Sequence, residues 1–502
     1  MITGRAQGTV GQRDRAVLMA CAAAGFTTLL DNSALNVALP SLRLSLAADV
    51  HQMQWIAAGY SLMFALTLVP GGRLGDTHGR KPYFVAGMAV FVFGGLLAAV
   101  SSDAWLLVAC RLVQGAGAGL VNGQMIGIIQ DSFTGPARAR ALGVYAAAAS
   151  IAAALGPALG GALIAIAGPD PGWRLVLVLA APFGAATLAL ATRCLPSAAA
   201  RNARADVDVR GALLFAATTL AVLLPLVTSL RGAGLAYCAA TVGVLAVFAV
   251  LHHCRTIRIG GIPLIAPALL QRAPYLAGVT IAATQFGAQM AASLALTMFL
   301  QDGLGLSAMS AAAVMLPMAL AMAVTSSLAG RAADRFGPRL VTAGITLSVC
   351  CLLGAGAAAQ HACPRVLPFL LGGTQLALGA AVGLLTAPLQ AEVLRHAPPR
   401  TAGVAGGLLQ MGQRLAAAVC VAAISGLYLN DRPSALAELR LAYGHAVVAC
   451  ACITSLGLAL RLATRHLRPP NEPAPPPTPL TIAAPGAPKE PARAHRHPSA
   501  PR

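Results

Sequence analysis

The sequence predicts an all-α membrane protein with fourteen transmembrane helices, and three observations carry that expectation. First, of 502 residues only 10% are charged and 57% are hydrophobic, with a mean hydropathy of +0.73. A soluble globular chain carries about 25% charged residues, so this one could not cover its surface against water. Second, the apolar residues gather in runs of the roughly 20 residues that a helix needs to cross the hydrocarbon layer. Third, the basic residues gather between those runs, on alternate sides.

In chain order the runs occupy approximately 17–39, 52–72, 83–101, 104–126, 140–167, 173–192, 211–230, 234–252, 274–299, 308–329, 340–358, 366–388, 402–426 and 441–463. They are helices rather than barrel strands, because lipid offers exposed backbone no partner and the runs are too long and unalternating. The narrowest separation is Ser101, Ser102 and Asp103, between the third and fourth runs. With the N-terminus inside, the alternation assigns 27 lysines and arginines to the cytoplasmic side and six to the outer side. That is a strong positive-inside bias, and a missed span would have scrambled it. Both termini are therefore expected in the cytoplasm. The first run lacks a convincing cleavage site and is expected to be retained.

The formal charge of +19 comes from short clusters at loop positions, which suits an anionic leaflet and not a nucleic-acid groove. Eleven cysteines include no CxxC pair and no histidine cluster. They are packing residues, with neither a metal site nor a cofactor implied. From residue 464 the chain becomes a Pro/Ala-rich tail, expected to be disordered and solvated. The organisation expected is a cytoplasmic N-terminus (1–16), a six-helix bundle (17–192), linkers with inserted helices 7 and 8 (193–272), a second six-helix bundle (273–463) and the tail (464–502).

The charged residues are not evenly spread. GRLGDTHGRK at 72–81 returns as GRAADRFGPR at 330–339, with Gly-Arg, then Asp, Gly and a closing basic residue in register. Each copy follows the second helix of its bundle, on the cytoplasmic side. Internal repeats of this kind build transport sites that open alternately to two sides. A positive-inside signal alone explains Arg80 and Lys81, but not the recurring glycine and aspartate. Gly72 and Gly79 permit a tight turn and close helix approach. Asp76 would be favoured by a neighbouring helix N-terminus, and Arg80 and Lys81 can pair with acids or headgroup phosphates. Asp334, which stands in the register of Asp76, and the adjacent Arg335 are the second copy's gate candidates.

Polar residues inside the spans are few and expensive. Asp31, in LLDNSALNVALP, is the one carboxylate placed well inside a span, with Asn32 and Asn36 nearby. Such an acid stays protonated, finds a partner or lines a wet cavity, which makes it the leading proton carrier against a purely structural role. Helix 4 carries Arg111, with Gln114 one turn later and a Gly115/Gly119 packing face. Arg111 could tune a nearby carboxylate or order waters; one dimension does not say whether it reaches Asp31. Helix 5 holds Gly156, Pro157, Gly160 and Gly161, ordinary for close packing with a bend. Gln285 and Gln289 of helix 9, and Gln410 and Arg414 of helix 13, are candidates for lining a substrate cavity together with Asn32, Asn36 and Gln114. Specific helix packing is the alternative for each glutamine.

Four of these stretches, in order and at matching topology, resemble the major facilitator superfamily, and more narrowly its fourteen-helix drug:proton antiporter branch. They are LDNSALNVALP, GRLGDTHGRK, RLVQGAGAG and GPALGG, and the likeness spans most of residues 15–465. The resemblance implies a monomer of two six-helix bundles around a central cavity, exporting hydrophobic or cationic compounds against inward proton flow. It assigns Asp31 and Arg111 to coupling, Asp76, Gly79 and Arg80 to a cytoplasmic gate, and Gly156–Gly161 to a packing face. There are departures. Ala137 stands where an acid commonly precedes Arg138. The helix opened by Gly172, Trp173 and Arg174 lacks the usual later Phe and Asn. LLQMGQRLAAAV replaces the usual arginine–glutamine–leucine–glycine order.

The function expected is a proton-coupled antiporter of the cell membrane that exports small amphiphilic compounds by alternating access. Its partners are lipid, protons and a small molecule, with no nucleic acid. Transport of an endogenous metabolite is the second reading, and a non-transporting sensor a third. An enzyme is not expected, since no soluble loop is large enough to hold an active site.

Overall fold

The computed structural model describes residues 11–196, 208–228, 233–261, 263–306, 308–398, 401–429 and 436–464. The extreme N-terminus, most of the linker after the sixth span and the Pro/Ala-rich tail lie outside these residues. Among the described residues every regular element is helical. The first bundle is α1 (Gln12–Ser45), α2 (Val50–His78), α3 (Arg80–Ala99), α4 (Ala104–Ser132), α5 (Gly135–Ala167), α6 (Pro169–Val178) and α7 (Ala180–Cys194). A hairpin follows, α8 (Val209–Thr228) and α9 (Ala233–Arg258), and then a single turn, α10 (Pro267–Leu270). The second bundle is α11 (Ala273–Met298), α12 (Ala308–His361), α13 (Leu367–Arg395), α14 (Ala402–Leu429) and α15 (Leu436–Ala463).

Thirteen described segments are long and apolar enough to cross a membrane. Helix α8 is the fourteenth, and its described apolar part is the shorter stretch Arg210–Val222. The outward faces agree: Phe93, Ile166 and Phe369 are 65%, 85% and 81% exposed, tolerable when the solvent is hydrocarbon.

Local chemistry sets the breaks. The narrow separation between the third and fourth spans is real, because the Asp103 carboxylate accepts the Leu106 N–H and caps α4. Asp49 and Gln52 form a reciprocal capping box that starts α2. The sixth span is one crossing in two pieces. Pro182 has no N–H to offer Val178, and the regular ladder is interrupted at Leu179, whose N–H turns back to Val176.

Helix α12 carries two of the expected spans. The spans expected at 308–329 and 340–358 correspond to the crossings Ser310–Ala333 and Arg335–His361 within this one 54-residue element. A straight helix would separate residues 322 and 344 by about 33 Å at 1.5 Å per residue. Yet Gly383 of α13 packs on Met322 while Gly344 packs on Ala381 and Leu385 of the same helix. The run therefore doubles back within the second motif copy, near Pro338, which has no N–H to give a helical ladder.

The inserted hairpin is tied at its base. Asp208 accepts from Gly211 N–H (2.8 Å), from Leu264 N–H (3.1 Å) and from His252 Nε2 (2.7 Å). One carboxylate thus joins the start of α8, the end of α9 and the segment that leads back to the second bundle. Burial alone would raise its pKa. The His252 and backbone hydrogen bonds outweigh burial and hold the carboxyl below the usual range. Beyond it, Leu264 and Leu269 enter the main core, and α8 lies against α2 and α14.

Candidate functional site

The site begins with close helix approach. Gly115, Gly119 and Gly123 recur one turn apart on α4 and face the α2 backbone at Tyr60, Phe64 and Leu68. Any side chain at these glycines would strike the α2 main chain, so the two helices meet backbone to backbone. Gly156 and Gly160 of α5 do the same against Ser33 and Ala34 of α1, and Ser33 Oγ donates to Ala152 O at 3.2 Å. Pro157 and Gly161 are half-buried beside this contact. Together these contacts draw α1, α2, α4 and α5 around one point.

At that point Asp31 meets Arg111. Arg111 Nη1 donates to Asp31 Oδ2 at 2.7 Å and to Gln114 Oε1 at 2.6 Å, and Gln114 Nε2 donates to Asp31 Oδ1 at 2.9 Å. The three side chains close a ring of hydrogen bonds and are 2%, 0% and 1% exposed, so water does not reach the acid in this conformation. Gln114, expected to line a cavity, instead completes this cluster. Arg111 Nε and Nη2 are buried without hydrogen-bond acceptors. The Tyr60 ring lies 4.5 Å from Arg111 Cζ and supplies the π face that compensates them. Tyr60 Oη donates to Thr28 O on α1. A buried ion pair of this kind adds little net stability, but removing one member strands the other.

A second cluster sits at the arginine-rich end. Gly79 has φ 97° and forms both the C-cap of α2 and the N-cap of α3, a backbone state that only glycine adopts freely. On either side of it, Arg80 Nη2 pairs with Asp76 Oδ1 at 2.6 Å, and Arg80 Nε pairs with Asp131 Oδ2 of α4 at 2.8 Å. The Asp76 carboxylate also accepts the Gly403 and Val404 N–H groups, each at 3.0 Å. These are the first-turn amides of α14, so the expected helix N-terminus belongs to the opposite bundle. Lys81 Nζ donates to Thr192 O of α7 at 2.7 Å, and Gly72 abuts Gly403 directly.

The second copy repeats the packing. Gly330, its first glycine, abuts Gly143 and the Ala139 carbonyl of α5. Helix 2 of each half thus crosses helix 5 of the other at the motif's opening glycine. Arg335 is exposed and lies over the Phe336 ring; the Asp334 side chain is outside the described residues. Further cross-bundle contacts, Ile126 with Gly406 and Leu68–Val69 with Gly407, lie in the same half of the molecule.

The remaining cavity candidates divide. Gln285 is buried and donates to Thr454 O of α15 at 3.1 Å, a helix-packing bond within the second bundle of the kind weighed for each glutamine. Gln289 and Asn32 are half-buried, Gln410 is buried one turn before Arg414, and the Asn36 side chain is outside the described residues. Arg414 stands between Phe64 of α2 and Phe286 of α11, with ring centroids 5.0 and 5.5 Å from Cζ. Sequence reasoning missed Tyr60 and Phe64, whose spacing of one helical turn on α2 was the available signal. It also missed Asp131, the acid at the end of α4.

Known proteins share this architecture. The chain is 33% identical over 414 residues to the probable actinorhodin transporter of Streptomyces coelicolor, covering 80% of this chain and 70% of that one. It is 25% identical over 407 residues to the riboflavin transporter RibZ of Clostridioides difficile, covering 81% and 86%. The solved structure of the human organic anion transporter MFSD10 superposes with a TM-score of 0.64 at 17% identity, over 90% of this chain and all of that one. Residues 21–421 match the family model of the Major Facilitator Superfamily, and with fourteen helices in two bundles joined at their repeated glycine motifs, the chain belongs to that superfamily.

Proposed function

We propose that the protein is a proton-coupled antiporter that exports small hydrophobic or amphiphilic compounds by alternating access. The observation that carries this reading is the enclosed Asp31–Arg111–Gln114 cluster. A carboxylate held by a guanidinium in a dry site is stable only as an ion pair, and protonating it frees both partners. It therefore has two states that differ in packing as well as in charge. The α5 glycines seat on α1 beside Asp31, so a change there reaches the helix that crosses the second bundle at Gly330. The two bundles, residues 17–192 and 273–463, are the moving parts. The Asp76–α14 contact closes the arginine-rich end in the conformation described, and the basic bias supports that end as cytoplasmic, in a protein acting as a monomer in the cell membrane.

The test is transport in proteoliposomes. An imposed pH gradient should drive uphill movement of a dye or antibiotic, and Asp31→Asn should abolish the gradient's effect. Gradient-driven transport that survives Asp31→Asn removes the proposal. The likeness to a riboflavin transporter supports a second reading, movement of an endogenous metabolite. Net accumulation in right-side-out vesicles, in place of extrusion, would favour it.

A further inference from the structure

Arg111 and Arg414 both lie within spans, but only Arg111 has an acid. Among the described residues Arg414 makes no hydrogen bond and no ion pair. The titratable groups within its electrostatic reach are the phenols of Tyr60 and Tyr145, which are neutral near pH 7. Its guanidinium is held on aromatic faces from both bundles, Phe64 on one side and Phe286 on the other. The residue is nonetheless half-buried, and none of its nitrogens is among those sealed away without a partner. Its nitrogens therefore keep some accessible surface at the junction where Phe64 and Phe286 bring the two bundles together. Asp31, which like Arg414 acts on Tyr60, is bonded to Arg111 and Gln114 and is not among the charges that act on Arg414.

A guanidinium has five donors in a planar fork that matches carboxylate and phosphate geometry. Keeping such a fork unpaired at membrane depth is costly, and an anionic ligand removes the cost. Phe64, Phe286 and the half-buried Met290 offer apolar surface beside it. We propose that Arg414 is the recognition group of the transport cavity and that the transported compounds are apolar or aromatic anions bearing a carboxylate or a similar group, rather than cations. This rests on the transport reading above and names its substrate class.

The test is equilibrium binding to the purified full chain by calorimetry, using a matched set of probes: naphthoate, naphthamide and naphthylmethylammonium. Naphthoate is expected to bind at least about tenfold more tightly than either of the others, as a charge-assisted bidentate bond implies. Arg414→Gln should bring the naphthoate-to-naphthamide ratio to about one, and Arg414→Lys, which keeps the charge without the fork, should leave a reduced preference. Thermal unfolding of each variant verifies folding. If the glutamine variant does not fold, the wild-type ratio and the lysine variant decide. The proposal is overturned if the ammonium probe binds as tightly as the carboxylate, if Arg414→Gln keeps the preference, or if no probe binds. No gradient is involved, so loss of the carboxylate preference with proton-driven transport intact overturns only the substrate class. A carboxylate preference without proton-driven transport overturns only the antiport reading.

Discussion

Gly72 of α2 and Gly403 of α14 meet with no room for a side chain: a Cβ at either would lie 2.6 Å from the other's carbonyl oxygen. Main chain opposes each at this crossing, so neither can yield by a rotamer change. Gly72→Ala should force the bundles apart at the arginine-rich end by an overpacking cost of about 1–3 kcal/mol. Each 1.4 kcal/mol shifts a two-state population about tenfold. Alkylation of a cysteine introduced on the α14 face should therefore become about 5- to 150-fold faster from that side. An unchanged alkylation rate would show that the crossing does not hold the end closed.

Asp31→Asn leaves Arg111 buried without its counter-charge. Breaking a buried pair in this way costs about 3–5 kcal/mol, so the variant should unfold at a clearly lower temperature than the parent. Adding Arg111→Gln removes the stranded cation and should recover a large part of that loss while leaving gradient-driven transport absent. A double variant no more stable than Asp31→Asn argues against electrostatic stranding.

Asp76→Ala removes the cap from α14 and one of the two acids on Arg80. Loss of a capping carboxylate costs about 0.5–2 kcal/mol, here at a contact between the bundles. Distances between spin labels on the ends of α3 and α14 should lengthen or broaden, and transport should slow. Asp131→Ala, which leaves the Gly403 and Val404 amides capped, should give the smaller change of the two.

Asp208 yields a pH prediction. Its folded carboxyl titrates below the usual carboxylate range, so its contribution is complete above about pH 4, the ordinary value for Asp. The contribution is lost as pH falls through the lower folded value. Amide exchange at Gly211 and Leu264, whose N–H groups it holds, should be protected at neutral pH and released only in stronger acid. Asp208→Asn should expose both amides across the whole range. Equal protection in the two proteins would place the anchor elsewhere.

The crossing helices, and Asp31, Arg111, Asp76 and Arg80 as charges in need of partners, were legible because each rests on one-dimensional signals: hydropathy length, loop charge, and the cost of a charge inside a span. The repeated motif was legible for the same reason. Its partner surface was not, because the α14 amides lie more than 320 residues away and backbone donors leave no mark on composition. Tyr60 was hidden because an aromatic residue in an apolar helix is unremarkable until a guanidinium lies on it. The glutamines looked alike in sequence. Gln114 closes the acid's ring and Gln285 binds Thr454, and only the rotation of each helix about its axis separates those fates.

The single residue between α2 and α3 has a mechanical consequence. Asp76 and Arg80 are four positions apart, yet Gly79 places them on two different helices. No length of loop is available to absorb relative movement. A roll of α3 against α2 alters the Asp76–Arg80 distance directly, so the geometry of the carboxylate that meets the α14 amides is set by the angle of a single peptide joint.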